Sequence, residues 1–168
     1  GTLECSIFPL TGHPPLDAEG WDKVMKAARE YGLNHLRFHS WCPPEAAFEA
    51  ADRLGVYLQV ELPNWSLDFG ADQALVGFIN GEADRTIAEY GNHPSFVMMS
   101  MGNELEGDYG LLTGMVARLK DLDPRHLYTT TTYTFQKGHG LFPEPVDDFY
   151  ITQNTEKGWI RGQGVFDQ

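Results

Sequence analysis

Short apolar runs alternate with amphipathic helical patterns along this chain, about one strand-helix pair every 30 residues, and this alternation restricts the fold more than any other feature. Residues 5–8, 35–39, 56–61, 96–101, 127–133 and 149–153 read as buried strands. They are continuously apolar or β-branched rather than cleanly alternating, as expected for a parallel sheet covered on both faces. Between them lie helices. Asp17 caps the first, whose Trp21, Val24, Met25 and Ala28 recur at helical spacing until Gly32 stops it. The second starts after Pro43-Pro44, carries Ala47, Phe48, Ala51 and Leu54 on one stripe and stops at Gly55. A third is expected over 73–90 and a fourth over 110–120, closed by Asp123-Pro124.

Right-handed β-α-β units allow an open doubly wound sheet or a (β/α)8 barrel. A doubly wound nucleotide binder carries a glycine-rich turn after its first strand. Here that turn reads Pro9-Leu10-Thr11-Gly12-His13-Pro14-Pro15, which offers a phosphate no glycine cradle. Barrel strands instead place polar and aromatic residues at their C-terminal ends. That pattern is present: Arg37 and His39 follow strand 2, Glu61 and Trp65 strand 3, Asn103 and Glu104 strand 4, Tyr133 strand 5, Gln153 and Asn154 strand 6. The expected fold is therefore α/β, a (β/α)8 TIM barrel. An eight-unit barrel takes about 250 residues, and these 168 hold six readable strands. Residues 1–168 thus read as a single partial barrel domain, strands 1–6, with strands 7 and 8 and any accessory domains outside it.

Composition narrows the function. Twelve Lys and Arg against 24 Asp and Glu leave a net charge of −12, which argues against a nucleic-acid or anionic-membrane partner. Hydrophobic residues make up 42% and charged ones 21%, so disorder is not expected. No run reaches the roughly 18 apolar residues of a membrane span, and Gly1-Thr2-Leu3-Glu4-Cys5 does not open a signal peptide. Cys5 and Cys42 permit at most one disulfide and have no zinc-type spacing.

The strongest local pattern is Asn92-His93-Pro94-Ser95, an apolar run over 96–101, then Gly102-Asn103-Glu104. A buried strand ending in Asn-Glu puts an amide and a carboxyl group side by side at the catalytic rim. Glycoside hydrolysis needs a carboxyl group that protonates the leaving oxygen, and a neighbouring donor to the sugar 2-hydroxyl.

At these residues the chain resembles glycoside hydrolase family 2, the β-galactosidase and β-glucuronidase family. Gly32-Leu33-Asn34-His35-Leu36-Arg37 resembles the family's Gly-x-Asn-x-x-Arg at strand 2. Asp52-Arg53-Leu54-Gly55 resembles its Asp-x-x-Gly lead into strand 3. Asn92-His93-Pro94-Ser95 and Asn103-Glu104 resemble its motifs around strand 4. After the arginine the family continues x-Ser-His-x-Pro, whereas this chain reads Phe38-His39-Ser40-Trp41-Cys42-Pro43, with Ser and His exchanged and one extra residue.

The resemblance implies a retaining β-glycosidase. Glu104 would be the general acid/base, Asn103 the contact to the 2-hydroxyl, and Arg37 the group orienting the catalytic carboxylates. The family nucleophile is a glutamate at the end of strand 7, expected beyond Gln168; Glu156 follows strand 6 and is a poor substitute. His39, Glu61, Trp65, Tyr133 and Trp159 are the further substrate-binding candidates, with Trp41 as another stacking aromatic. The expected partner is a carbohydrate, a β-glycoside or oligosaccharide, with no cofactor and no metal. Self-association through unpaired barrel edges is expected for the isolated chain. Glycan degraders of this kind are expected outside the cytoplasm, in periplasm or medium.

Blander roles compete. Glu61 and Arg37 can form a structural ion pair, Met98, Met99 and Met101 read as core, His93 organises the entry to strand 4, and His13 and His139 are loop residues. The main alternative is a non-catalytic carbohydrate-binding or inactive barrel fragment; a metal-dependent barrel hydrolase would recruit His13, His39 and His93, which lack metal-type spacing.

Overall fold

A computed structural model describes residues 1–155 and 158–159. The elements run β1 (Thr2–Glu4), α1 (Ala18–Glu30), β2 (His35–Phe38), α2 (Glu45–Leu54), β3 (Tyr57–Glu61), α3 (Gln73–Tyr90), β4 (Phe96–Ser100), α4 (Tyr109–Leu122) and β5 (Leu127–Thr129). Two short segments, β6 (Asn154–Thr155) and β7 (Gly158–Trp159), pair antiparallel with each other.

The sheet is parallel throughout, in the order β1-β2-β3-β4-β5. Spatial order follows chain order with no reversal. With every crossover of one hand, such a sheet carries its helices on one face, as barrel-like sheets do and doubly wound sheets do not. The core lies between sheet and helices. Trp21 and Met25 of α1, Phe48 and Ala51 of α2, Ile79 and Ala83 of α3, and Leu112 and Val116 of α4 close on Leu36, Phe38, Leu58, Val60, Met99 and Tyr128.

On the opposite face, β2 and β3 carry polar side chains, with Leu3 and Met98 in register beside them. His35 and Arg37 alternate with the buried Leu36 and Phe38, and register sets Arg37 beside Gln59 and Glu61 beside Ser100. Strands β2 and β3 therefore do not carry the uniformly apolar surface expected from the sequence; one side seals the core and the other lines the approach to the rim.

Helix signals match closely. Asp17, Asp72 and Asp108 cap α1, α3 and α4 by accepting from the amides of Gly20, Ala74 and Leu111. Gly55 ends α2 in the left-handed conformation. Three strand expectations need correction. The first strand is Thr2–Glu4, not 5–8: Ser6 turns at φ 56°, its N–H bonding back to the Glu4 carboxylate, and Ile7 is exposed. The fifth is only Leu127–Thr129; beyond it the Thr130 N–H is held by Asp147, as the Tyr128 N–H is by Asp148. Residues 149–153 form no strand; Ile151 makes a single parallel bridge to Thr132, which also bridges Asn103.

Candidate active site

Backbone conformation marks the C-terminal rim of the sheet before any side chain does. Among the described residues four that are not glycine have left-handed φ: Ser6, Ser40, Glu104 and Tyr133, following β1, β2, β4 and β5. Each such residue costs about 1–3 kcal/mol unless its surroundings hold it. All four donate their N–H groups to an acceptor at the rim: Ser6 to Glu4, Ser40 to Glu61 Oε2 at 2.8 Å, Glu104 to the Thr132 carbonyl at 2.9 Å, and Tyr133 to the Ile151 carbonyl at 3.0 Å.

Strand β3 is laced to the exit of β4 by Asn64, a residue that sequence patterns did not single out. The Asn103 N–H donates to the Asn64 carbonyl at 3.0 Å, and Asn64 Nδ2 donates to the Met101 carbonyl at 3.3 Å. Gly102, at φ 152°, is obligatory between them: a Cβ there would lie 2.3 Å from the Asn64 carbonyl oxygen. The glycine preceding Asn103-Glu104 was the available signal for this close approach. Ser40, also missed, caps the Glu61 carboxylate.

Three residues form the floor. Arg37 Nε donates to Glu61 Oε1 at 2.5 Å, and Nη2 donates to Asn103 Oδ1 at 2.5 Å. Glu61 is fully buried, so its charge depends on the guanidinium and on the Ser40 amide. Because the Arg37 donor claims the amide oxygen of Asn103, Nδ2 points away from it, buried and with no protein partner among the described residues. An unspent donor at such a place is costly unless something else accepts from it.

Glu104 stands half-buried beside this floor. Its Oε2 accepts from Trp65 Nε1 at 3.1 Å. Trp65 is 58% exposed, and the His39 ring meets it edge-on with centroids 4.9 Å apart. His39 Nδ1 lies 3.0 Å from the Ser40 hydroxyl. Arg37, His39, Glu61, Trp65, Asn103 and Glu104 thus converge, although Arg37 bonds Asn103 and Glu61 rather than Glu104.

Other candidates make different contacts. Tyr133 is buried, its ring against Phe135. Trp41 packs on Trp21 and Phe38, part of the helix-side aromatic cluster. His93 donates from Nδ1 to Asp52 and Ser95 donates its N–H to the same carboxylate, tying α2 to the entry of β4. His139 stacks on Tyr109 and pairs with Glu144, while His13 is exposed and bonds the Pro14 carbonyl. Met99 and Met101 are core. Glu156 and the Trp159 side chain lie outside the described residues. Among the described residues no group of three or more His, Cys, Asp or Glu could hold a metal, and no helix is long and apolar enough to cross a membrane. The Cys42 thiol is pushed up to about 12 by burial, so it is unreactive at neutral pH.

Comparison with known proteins gives the class that this sheet resembles. An FMN-binding β-glucuronidase from Facaelibacterium prausnitzii superposes with a TM-score of 0.76 at 20% identity, over 89% of this chain and 24% of that one. A β-glucuronidase from Parabacteroides merdae gives 0.73 at 16% identity over 92% of this chain and 19% of that one. A family 2 β-galacturonidase from Eisenbergiella tayi gives 0.67 at 19% identity over 79% and 24%. In sequence, a Formosa agariphila protein named provisionally as a β-glucuronidase is 28% identical over 120 residues, 66% of this chain and 11% of that protein. No family model matches. The chain spans a quarter or less of the length of these proteins. Its relatives in fold and sequence are glycoside hydrolases, and the resemblance to family 2 read from its motifs agrees with them.

Proposed function

We propose that this chain supplies the acid/base part of a retaining β-glycosidase barrel, with the nucleophile contributed by a carboxylate outside these residues. The observation that carries the reading is the placement of Asn103 and Glu104 in succession at the exit of β4, with Arg37 holding the Asn103 amide oxygen. Protonated Glu104 gives its proton to the glycosidic oxygen as the nucleophile attacks the anomeric carbon and the aglycone departs. The resulting Glu104 carboxylate then takes a proton from the water that cleaves the glycosyl-enzyme. Asn103, its amide oxygen held by Arg37, is the residue assigned to the sugar 2-hydroxyl. Glu61 is not the nucleophile in this scheme, since Arg37 and Ser40 occupy both its oxygens.

Since the similar proteins are named for uronides, aryl β-glucuronides and β-galacturonides are the first substrates to test. In the intact protein, Glu104→Gln is expected to lower kcat/KM for a phenyl glycoside by about a thousandfold and to spare a dinitrophenyl glycoside, whose leaving group needs no proton. Wild-type rates on both would overturn the assignment. Sugar binding without turnover by the wild-type protein would favour a non-catalytic carbohydrate-binding role.

A further inference from the structure

We propose that Trp65 is a positioning residue for the acid/base: its indole N–H holds one oxygen of Glu104 and reserves the other for proton transfer. The inference rests on the reading of Glu104 given above and adds to it a division of labour between the two carboxyl oxygens.

Indole nitrogen donates and never accepts. The 3.1 Å bond from Trp65 Nε1 therefore makes Oε2 an acceptor whether Glu104 is ionised or neutral. A proton on Oε2 would face the indole hydrogen, so the exchangeable proton belongs on Oε1. That fixes which oxygen faces the glycosidic bond in both halves of the reaction, and it removes rotation of the carboxyl group as a source of unproductive geometry.

The indole is itself placed by a run of contacts that leads back to Glu104. Residues 64 and 103 are joined by a backbone hydrogen bond, so 65 and 104 are carried side by side. On its far side the ring rests against His39, which lies against the Ser40 hydroxyl; Ser40 holds Glu61, Glu61 holds Arg37, and Arg37 holds Asn103, the residue before Glu104. The circuit closes on the carboxylate it orients. A tryptophan more than half exposed contributes little to the core, and here its polar edge is spent entirely on Glu104.

The test is Trp65→Phe in the intact protein, alongside Glu104→Gln and Trp65→Ala. Phe keeps an aromatic face and loses only the donor. Trp65→Phe is expected to lower kcat/KM for a phenyl glycoside about tenfold, the scale of one hydrogen bond to a charged group. The same variant is expected to lose several-fold less on the dinitrophenyl glycoside than on the phenyl glycoside, with the thermal unfolding midpoint nearly unchanged. Trp65→Ala should add a rise in KM on both substrates. Equal losses on both substrates with Trp65→Phe, or none on either, would overturn the positioning role while leaving the acid/base reading intact. If Glu104→Gln is itself harmless on the phenyl glycoside, the acid/base reading fails and this inference fails with it.

Discussion

Arg37 shows how one side chain can set both stability and chemistry. Its guanidinium neutralises a carboxylate with no solvent contact and, in the same plane, orients Asn103. Removing one partner of a buried pair is costly because it leaves the other charge uncompensated, so Arg37→Met is expected to destabilise the protein by about 3 kcal/mol, read by chemical denaturation. A loss below about 1 kcal/mol would mean that Glu61 is not held as a buried ion. Gly102 carries a different constraint, space for the Asn64 carbonyl at a φ only glycine adopts freely. Gly102→Ala should cost about 2 kcal/mol or more and displace Asn103 and Glu104 together, measurable as loss of both stability and turnover. At this scale the Asn-Glu pair was legible in the sequence. Asn64 and Ser40 were not, because each acts through atoms close in space and remote along the chain.

Among the elements, helices were more legible than strands. A helix writes its ends locally: Asp17, Asp72 and Asp108 each accept from an amide two or three residues on, and the helix expected over 73–90 has those bounds. Replacing Asp17 or Asp72 by Ala should cost about 1 kcal/mol each, read as a lower unfolding midpoint with native circular dichroism. Strands take their limits from neighbours. The threonine-rich run over 129–132 has the propensity to continue β5, yet Asp147 takes the Thr130 N–H at 2.7 Å and the Thr131 hydroxyl accepts from the Leu105 N–H at 3.0 Å. Residues 5–8 are apolar enough for a strand, but the Ser6 turn and the Glu4 side chain direct them out of the sheet.

For the molecule as a whole, charge and edges dominate. Arg125 beside Asp123 holds that carboxyl down to about 2. Burial works against ionisation of Asp52, yet its bonds from Ser95 and His93 bring its pKa below the ordinary carboxylate value. A group whose folded pKa is depressed contributes stability above its unfolded pKa and loses it as pH falls through the folded one. Acidification from about pH 4 to about 2 should therefore weaken the fold. Asp123→Asn, discounted for the exposed Arg125, should cost about 1–2 kcal/mol at pH 7, and the gap to wild type should close near pH 2 in denaturant titrations at each pH. Strand β1 forms the outer edge of the five-stranded sheet, and Leu3 is exposed on it. Residues 1–168 expressed by themselves are expected to self-associate, with a sedimentation coefficient that rises with concentration; a single monomeric species over a hundredfold range would overturn this.

What the sequence determined by itself was local and periodic: the β-α alternation, the helix caps and stops, and the Asn-Glu pair at the end of a buried strand. These depend on residues within a turn or two of one another, so the pattern of side chains already contains them. Tertiary structure alone decided where β1 and β5 stop, that β2 and β3 turn polar side chains away from the helices, that Arg37 turns to Asn103, and that Trp65 reaches Glu104 across 39 positions. Those outcomes depend on which distant strand lies alongside and in what register, and a one-residue change of register would have pointed every one of these side chains to the other face.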